Sequence, residues 1–281
     1  MKNIKELENI VQQVRRDILR MVHANNSGHP GGSLGCAEFL TALYFRIMKH
    51  NTAFKMDGIG EDLFFLSNGH ISPVFYSVLS RIGYFDTKEL SSFRKINSRL
   101  QGHPTPYEGL EGVRMASGSL GQGLSVSIGA AITKKLNNDP NLVYTLHGDG
   151  ELQEGQVWEA LMYASANKVD NLIVTIDYNK KQIDGSLDDV LTIGNLSKKL
   201  EAFDWIVLEE KNGNNIASVI DILELAISKT KKQKPVAIIL HTEMGNGVDF
   251  MMGTHKWHGS APNDDQLEIA LSQNTETLGD Y

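Results

Sequence analysis

A carboxylate and a carboxamide that each follow an apolar run are the residues best suited to chemistry in this sequence. One run ends in Gly148-Asp149-Gly150, and a second leads to Asn179, thirty positions after Asp149. A helix-like stretch separates the two runs, which predicts a βαβ unit of parallel strands. Ligands of open α/β sheets bind beyond the carboxyl ends of the strands. We therefore interpret Asp149 and Asn179 as oxygen ligands of one hard cation, Mg²⁺ or Ca²⁺.

Two nucleotide-binding motifs also contain glycine-rich turns, and this segment fits neither of them. Gln153 occupies the third glycine position of a dinucleotide fingerprint, and Gly155 is followed by Gln156 rather than by the lysine of a P-loop. The charge of Asp149 repels a bare pyrophosphate, so an acid beside a diphosphate is favourable only with a metal ion between them. The alternative is an acidic turn that only caps a helix, with Asn179 in an unrelated loop.

Four of the nine histidines lie in glycine-containing loops: His29, His70, His103 and His258. Loops on a rigid scaffold are where sites are built. A neutral imidazole donates to phosphate or sugar oxygens and transfers protons near pH 7. For each of them the alternative is a hydrogen-bonded structural histidine. Zinc binding is not expected, because only His255 and His258 have ligand spacing and zinc needs further close ligands.

Strand-like and helix-like segments alternate along the chain, which predicts an α/β fold with a doubly wound, mostly parallel sheet flanked by helices. The expected strands are 62–67, 142–147, 172–177, 205–210 and 236–243, and the expected helices are 4–24, 71–83, 86–98, 122–136 and 215–229. We expect a single domain over 1–281, with a long loop from about 244 and a short helix near 263–272.

The composition limits the classes of function. A formal net charge of −7 disfavours a sequence-independent nucleic-acid surface, and we interpret the lysine-rich segment 229–234 as a solvated helix end. Cys36 is the only cysteine, which excludes a disulfide within the chain and is typical of a reducing cytoplasm. The sequence has neither a signal peptide nor an apolar run of about 20 residues. We expect a soluble, cytoplasmic protein that binds neither nucleic acid nor membrane.

Together these motifs resemble the N-terminal, diphosphate-binding half of transketolase. They occur in the family's order: SGHPGGSLG, SNGH, GHP, SGSLGQG, GDGELQEG, NKKQIDG and WHG. The resemblance covers nearly the whole chain and implies the thiamine-diphosphate-binding fold. It also implies thiamine diphosphate and Mg²⁺ as cofactors, and transfer of a two-carbon ketol unit between sugar phosphates.

The resemblance assigns the metal ligands and the residues that contact the cofactor. Asp149 and Asn179 correspond to side-chain ligands of Mg²⁺, and the carbonyl of Lys181 corresponds to a third ligand. Two diphosphate oxygens and a water would complete the octahedron that Mg²⁺ prefers. The other cofactor-binding positions are His70 and His258 at the phosphates, the N–H of Gly150 at the diphosphate, Gly118, Ser119 and Leu120 near the aminopyrimidine, and Ile183 on the thiazolium. The family often has proline where Ser119 stands.

Three histidines resemble the family's catalytic residues. His29 and His103 correspond to residues around the reacting carbonyl and hydroxyls, with proton-transfer and orienting roles. His258 corresponds to a residue near the substrate, although His255 is an alternative for that position. Acidic residues near the family's subunit interface correspond to Glu154 and Glu159, and Glu154 is equally interpretable as a first-turn acid that the helix dipole favours.

The sequence does not match the family's second α/β domain, which implies a partner. Thiamine diphosphate acts as an electron sink once its C2 proton is lost. In the family, that step depends on a glutamate of the second domain, which also carries the arginines and histidines that bind the sugar phosphate. We therefore expect a C-terminal, pyrimidine-binding partner subunit, in a heterotetramer with two copies of each chain. The isolated chain should bind cofactor weakly and turn nothing over.

Other functions stay open at this point. One alternative is a subunit of another thiamine-dependent enzyme, such as a relative of deoxyxylulose-phosphate synthase or of a keto-acid dehydrogenase. A further alternative is a non-catalytic homologue that acts as a binding partner. The loop histidines favour transketolase, because ketol transfer needs groups that bind several sugar hydroxyls. The ketose donor, the aldose acceptor and the pathway are not indicated by the sequence.

Overall fold

The computed structural model describes residues 2–281. Its helices are α1 (Ile4–Ala24), α2 (Pro30–Gly35), α3 (Ala37–Ala42), α4 (Ser72–Ile82), α5 (Gln122–Leu136), α6 (Gly155–Ala166), α7 (Leu187–Leu191), α8 (Leu196–Ala202), α9 (Ile216–Lys229) and α10 (Asp264–Ser272). Its strands are β1 (Leu63–Leu66), β2 (Val143–Gly148), β3 (Leu172–Asp177), β4 (Lys181–Gln182), β5 (Gly185–Ser186), β6 (Ile206–Glu210) and β7 (Val236–Leu240).

Five strands form one parallel sheet in the order β1-β2-β3-β7-β6, which confirms the predicted fold class. Strands β1, β3 and β7 are buried at every residue, as expected for strands with helices on both faces. The register aligns Gly148 of β2 with Asp177 of β3, so both strands end at the same edge. Beyond that edge, β4 and β5 pair as a short antiparallel hairpin.

Alternate residues of each strand pack into two separate hydrophobic cores, one on each face of the sheet. Phe64 and Leu66 pack with helices α1, α3, α4 and α9, whereas Leu63 and Phe65 pack with α5, α6 and α8. Helix α1 illustrates how the sequence specifies an element. Asn3 and Glu6 form a capping box at its start, and its apolar residues recur at three- and four-residue intervals.

The structure differs from the expected elements in three places. The helix expected over 86–98 is wrong, because only Thr87–Ser92 forms a 3₁₀ turn and the residues after it include positive-φ positions at Arg94 and Asn97. The glycine-rich segment after His29 forms helix α2 rather than a loop. Helices α7 and α8 were not anticipated, although Ser186 and Asn195 cap their N-termini through side-chain hydrogen bonds. Across residues 2–281, no helix combines the length and apolarity needed to cross a membrane.

Candidate functional site

A single cavity of about 250 Å³ at the carboxyl ends of β1, β2 and β3 contains nearly all of the candidate residues. It is lined by His29, His70, His103, Gly118, Leu120, Asp149, Gly150, Asn179, Lys181, Ile183 and His258, together with Asn68, Ser117, Glu151, Asp177, Gln182 and others. Ser119 is exposed and is not among the lining residues. His255 does not line the cavity either, whereas His258 does.

Asp149 lies at the end of β2 with its carboxylate almost fully buried. One carboxylate oxygen accepts the N–H of Gly150 at 2.8 Å, and the other accepts the N–H of Lys180. Burial and the neighbouring Asp177 raise the pKa of Asp149 to about 7. The raised pKa means that the ionised form of this buried carboxylate is disfavoured. A cation bound in the cavity would stabilise the ionised form.

Asp177, at the end of β3, orients the carboxamide of Asn179. The Asn179 Nδ2 donates to Asp177 at 2.8 Å, so its carbonyl oxygen points the other way and accepts the N–H of Lys181 at 2.9 Å. Thr242 donates to the second oxygen of Asp177, and burial raises the pKa of Asp177. Sequence reasoning missed Asp177. Its only signal was an acid as the last residue of an otherwise apolar strand.

The four loop histidines converge on the cavity from three separate loops and from the start of helix α2. The His29 ring centre lies 5.1 Å from that of His70, 6.3 Å from that of His103 and 5.6 Å from that of His258. The rings of His70 and His258 stack with their centres 5.0 Å apart. The fold therefore brings the four imidazole rings together at one cavity.

The histidine cluster is neutral near pH 7. Burial, followed by the neighbouring His258, lowers the pKa of His29 to about 4. Burial also lowers the pKa of His70, His103 and His258. A neutral imidazole has one N–H donor and one acceptor nitrogen, so each ring can both give and receive a hydrogen bond.

Several buried polar atoms at the cavity have no hydrogen-bond partner within residues 2–281. They are His29 Nδ1, Asn68 Oδ1, Ser117 Oγ, Gln182 Nε2 and His258 Nδ1. Buried polar groups are normally hydrogen-bonded, and an unpaired one costs about 1 to 3 kcal/mol. Both donors and acceptors occur in this set, so the cavity fits a ligand with several polar groups. A phosphorylated, hydroxyl-rich or heteroaromatic ligand meets that description.

Glu151 is a second buried acid that sequence reasoning missed. Its carboxylate accepts the N–H of Gly121 at 2.7 Å and of Gly148 at 3.2 Å, as well as the hydroxyl of Ser67. Burial acts to raise the pKa of Glu151, but the nearby His147 and the donors Ser67 and Gly121 lower it below its ordinary value. Glu151 therefore ties the turn after β2 to the loop that carries Gly118 and Leu120. The sequence signal was the acid two residues after Asp149.

The predicted interface acids lie away from the cavity lining. Glu154 and Glu159 are exposed at the start and middle of α6. The same helix exposes Met162 and Tyr163, and the adjacent α5 exposes Val126. Exposed apolar side chains grouped on neighbouring helices are typical of an interaction surface.

Comparison with known proteins identifies the family. Residues 7–276 match the family model for the thiamine diphosphate binding domain of transketolase. Because that match spans most of the chain, the chain belongs to this family. It is 38% identical over 270 residues to an apulose-4-phosphate transketolase subunit from Actinobacillus succinogenes, covering 95% of each chain. It is 35% identical to a 6-deoxy-6-sulfo-D-fructose transketolase subunit from Clostridium sp. (strain MSTE9), covering 95% of this chain and 96% of that one.

Solved transketolase structures share the fold over the length of this chain. The transketolase of Campylobacter jejuni superposes with a TM-score of 0.88 at 33% identity, covering 97% of this chain and 43% of that one. A transketolase variant from Pichia stipitis gives a TM-score of 0.89 at 28% identity, covering 99% of this chain and 42% of that one. The chain therefore spans less than half the length of the solved transketolases it resembles.

Proposed function

We propose that this chain is the thiamine diphosphate-binding subunit of a two-subunit transketolase, which transfers a two-carbon ketol unit from a ketose phosphate to an aldose phosphate. One observation carries the proposal. A single cavity brings an acid, an amide and four neutral histidines together at the carboxyl edge of the sheet. Relatives that are themselves named as transketolase subunits match along almost their whole length, which supports the two-subunit form.

Asp149, Asn179 and the carbonyl of Lys181 are the proposed ligands of Mg²⁺. Carboxylate, amide and carbonyl oxygens are the donors that this hard cation prefers. The burial of Asp149 beside Asp177, which raises the pKa of Asp149, supports a bound cation as the missing positive charge. The N–H of Gly150 and the imidazoles of His70 and His258 are proposed to contact the cofactor's diphosphate.

Thiamine diphosphate, when bound, supplies an electron sink for the bond to the ketol carbon. The chain's own residues orient the sugar and transfer its protons. His29, His103 and His258 are proposed to act at the substrate's hydroxyls and carbonyl. Because they are neutral near pH 7, they can accept a proton without first losing one to solvent, and each can donate a proton once it has accepted one. Gly118, Ser119 and Leu120 are proposed to contact the aminopyrimidine.

Two exposed apolar side chains at the cavity support a partner chain. Ile183 is 59% exposed and Leu120 is 36% exposed, although both line the cavity. We propose that a C-terminal, pyrimidine-binding subunit covers them and supplies the glutamate on which loss of the cofactor's C2 proton depends. Self-association through α5 and α6, near Glu154 and Glu159, would complete an assembly with two copies of each chain.

The test is reconstitution with a protein that carries the pyrimidine-binding domain, to be sought in the coding sequence next to that of this chain. We expect ketol transfer from xylulose 5-phosphate only when both chains, thiamine diphosphate and Mg²⁺ are present. Removal of the metal by a chelator should abolish the transfer. Transfer by the purified chain alone would contradict the two-subunit proposal. A reconstituted complex that accepts pyruvate instead would favour another thiamine-dependent enzyme. Cofactor binding without turnover of pyruvate or of any of a panel of ketose phosphates would favour a non-catalytic homologue.

A further inference from the structure

A side-chain ion pair joins the β4–β5 hairpin, which lines the cavity, to the segment that follows β7. Lys181 lies in β4, and its Nζ is 3.0 Å from Oε1 of Glu243, which follows β7. The same Glu243 oxygen accepts the N–H of Gly253 at 2.8 Å. The backbone N–H of Glu243 donates to Oδ1 of Asn214 at 2.7 Å, which fixes this residue to the loop before α9.

The segments joined by this pair carry proposed ligands of the cofactor and its metal. The β4–β5 hairpin carries the carbonyl of Lys181 and the side chain of Ile183. The loop that contains Gly253 leads to His258, which also lines the cavity. A hairpin of two-residue strands and a long loop are each weakly constrained by their own backbone. Side-chain contacts of this kind are therefore needed to fix the distance between them.

The pair also determines where the Lys181 ammonium is held. A free ammonium beside Asp149 and Asp177 would compete with a divalent cation for their charge. Glu243 holds the ammonium in a salt bridge in which the lysine side chain is 18% exposed and the glutamate side chain 39% exposed. The backbone carbonyl of Lys181 can therefore contribute to the cation site while Glu243 offsets the charge of the Lys181 side chain.

We propose that Glu243 and Lys181 form a positioning pair that sets the distance between the β4–β5 hairpin and the His258 loop, and so sets the affinity of the cavity for Mg²⁺ and thiamine diphosphate. The inference rests on the proposed function. It assigns Glu243 no contact with substrate or cofactor. Residues that orient metal ligands typically change metal affinity about 10- to 100-fold when mutated, and partial exposure reduces the effect of an ion pair.

The experiment is a double-mutant cycle on the complex reconstituted with the partner chain. The variants are Lys181→Met, Glu243→Ala and the two combined. Lys181→Met keeps the backbone carbonyl and a side chain of similar length. The apparent affinity for Mg²⁺ at saturating thiamine diphosphate is measured by tryptophan fluorescence and by calorimetry. We expect each single variant to lower the Mg²⁺ affinity about three- to tenfold. The double variant should bind Mg²⁺ at least as tightly as the single variant with the larger loss.

Two further variants separate positioning from a general loss of structure. Glu243→Gln keeps an acceptor for the N–H of Gly253 but lacks the charge, so we expect it to recover part of the affinity lost in Glu243→Ala. Lys135→Met removes a comparable ion pair, Lys135–Asp170 at 2.8 Å, whose acid precedes β3 at the opposite edge of the sheet. It should leave the Mg²⁺ affinity unchanged. Hydrogen exchange at 180–187 and 252–258 should become faster in Glu243→Ala even without cofactor.

The outcomes distinguish this inference from the proposed function. Additive single effects, affinities equal to the wild type, or a fall in kcat at saturating Mg²⁺ with unchanged affinity would each overturn the positioning role. In those cases the wild-type complex still binds cofactor and transfers ketol units. If the wild-type complex shows no Mg²⁺-dependent cofactor binding, the proposed function fails and the inference falls with it.

Discussion

Replacement of Asp177 tests whether the buried acid at the end of β3 orients the proposed metal ligand beside it. Asp177 accepts the Nδ2 of Asn179 at 2.8 Å and also accepts the hydroxyl of Thr242. Asp177→Asn keeps one acceptor oxygen but loses the charge, and Asp177→Ala keeps no acceptor. Asp177→Ala therefore removes the contact that directs the carbonyl oxygen of Asn179, whereas Asp177→Asn weakens that contact by removing its charge.

The expected magnitude follows from the hydrogen bond that is lost. A hydrogen bond to a charged group contributes about 1.5 to 3 kcal/mol. Each 1.4 kcal/mol corresponds to about a tenfold change in affinity, so the loss amounts to roughly 10- to 100-fold. We expect Mg²⁺ affinity in the presence of thiamine diphosphate to fall about tenfold in Asp177→Asn and to approach a hundredfold loss in Asp177→Ala.

The substitution Asp177→Asn should affect thermal stability differently from Mg²⁺ affinity. Burial raises the pKa of Asp177, so its charge is unfavourable in the folded chain without a cation. Asp177→Asn removes that charge, and we therefore expect its melting temperature without metal to be no lower than that of the wild type. Calorimetric titration with Mg²⁺ and thermal unfolding of the same samples provide the two measurements. Undiminished Mg²⁺ affinity in Asp177→Ala would refute the orienting role.

The remaining predictions concern stability and are measured by urea unfolding of the isolated chain. Gly123→Ala should destabilise the fold by about 1 to 3 kcal/mol, because a Cβ at this position would lie 2.3 Å from the Ser67 side chain. Gly129→Ala in the same helix is the control: its Cβ would meet none of the described residues within 4 Å, so it should stabilise the fold by about 0.5 to 1 kcal/mol. The reverse order would contradict the packing of α5. Asp280→Asn should lower the free energy of unfolding by about 1 kcal/mol at pH 7. The hydrogen bond from Arg16 lowers the pKa of Asp280 to about 2, so this stabilisation is present above the ordinary pKa near 3.8 and is lost as the pH falls through 2. A difference from the wild type that persists unchanged at pH 2 would contradict it.

Local patterns in the sequence predicted α1, β2 and β3 correctly, and they indicated Asp149 and Asn179 as candidate metal ligands. The apolar spacing of α1 and its Asn3 cap are decided by neighbours within one turn, and the runs that form β2 and β3 are decided by their own side chains. Because parallel strands end at a common edge, the sequence also indicated that Asp149 and Asn179 would meet. Both line the same cavity.

The sequence was a poorer guide where the backbone departs from a regular period. The segment 86–98 has a helical pattern, but positive-φ residues at Arg94 and Asn97 follow its 3₁₀ turn. The domain assignment over 1–281 and the roles given to individual site residues stay predictions. Their test is biochemical, because a fold and a cavity do not by themselves define a reaction.

What only the tertiary structure decided is which distant residues share the cavity and in what state of charge. His29 and His258 come from opposite ends of the chain, yet their rings lie 5.6 Å apart. The lowered pKa of His29 and the raised pKa of Asp149 arise from burial and from neighbours distant in sequence. The pairing of Lys181 with Glu243 likewise depends on how a hairpin and a loop pack. Periodicity is a property of adjacent residues, whereas desolvation and charge coupling depend on the packing of the whole sheet and its loops.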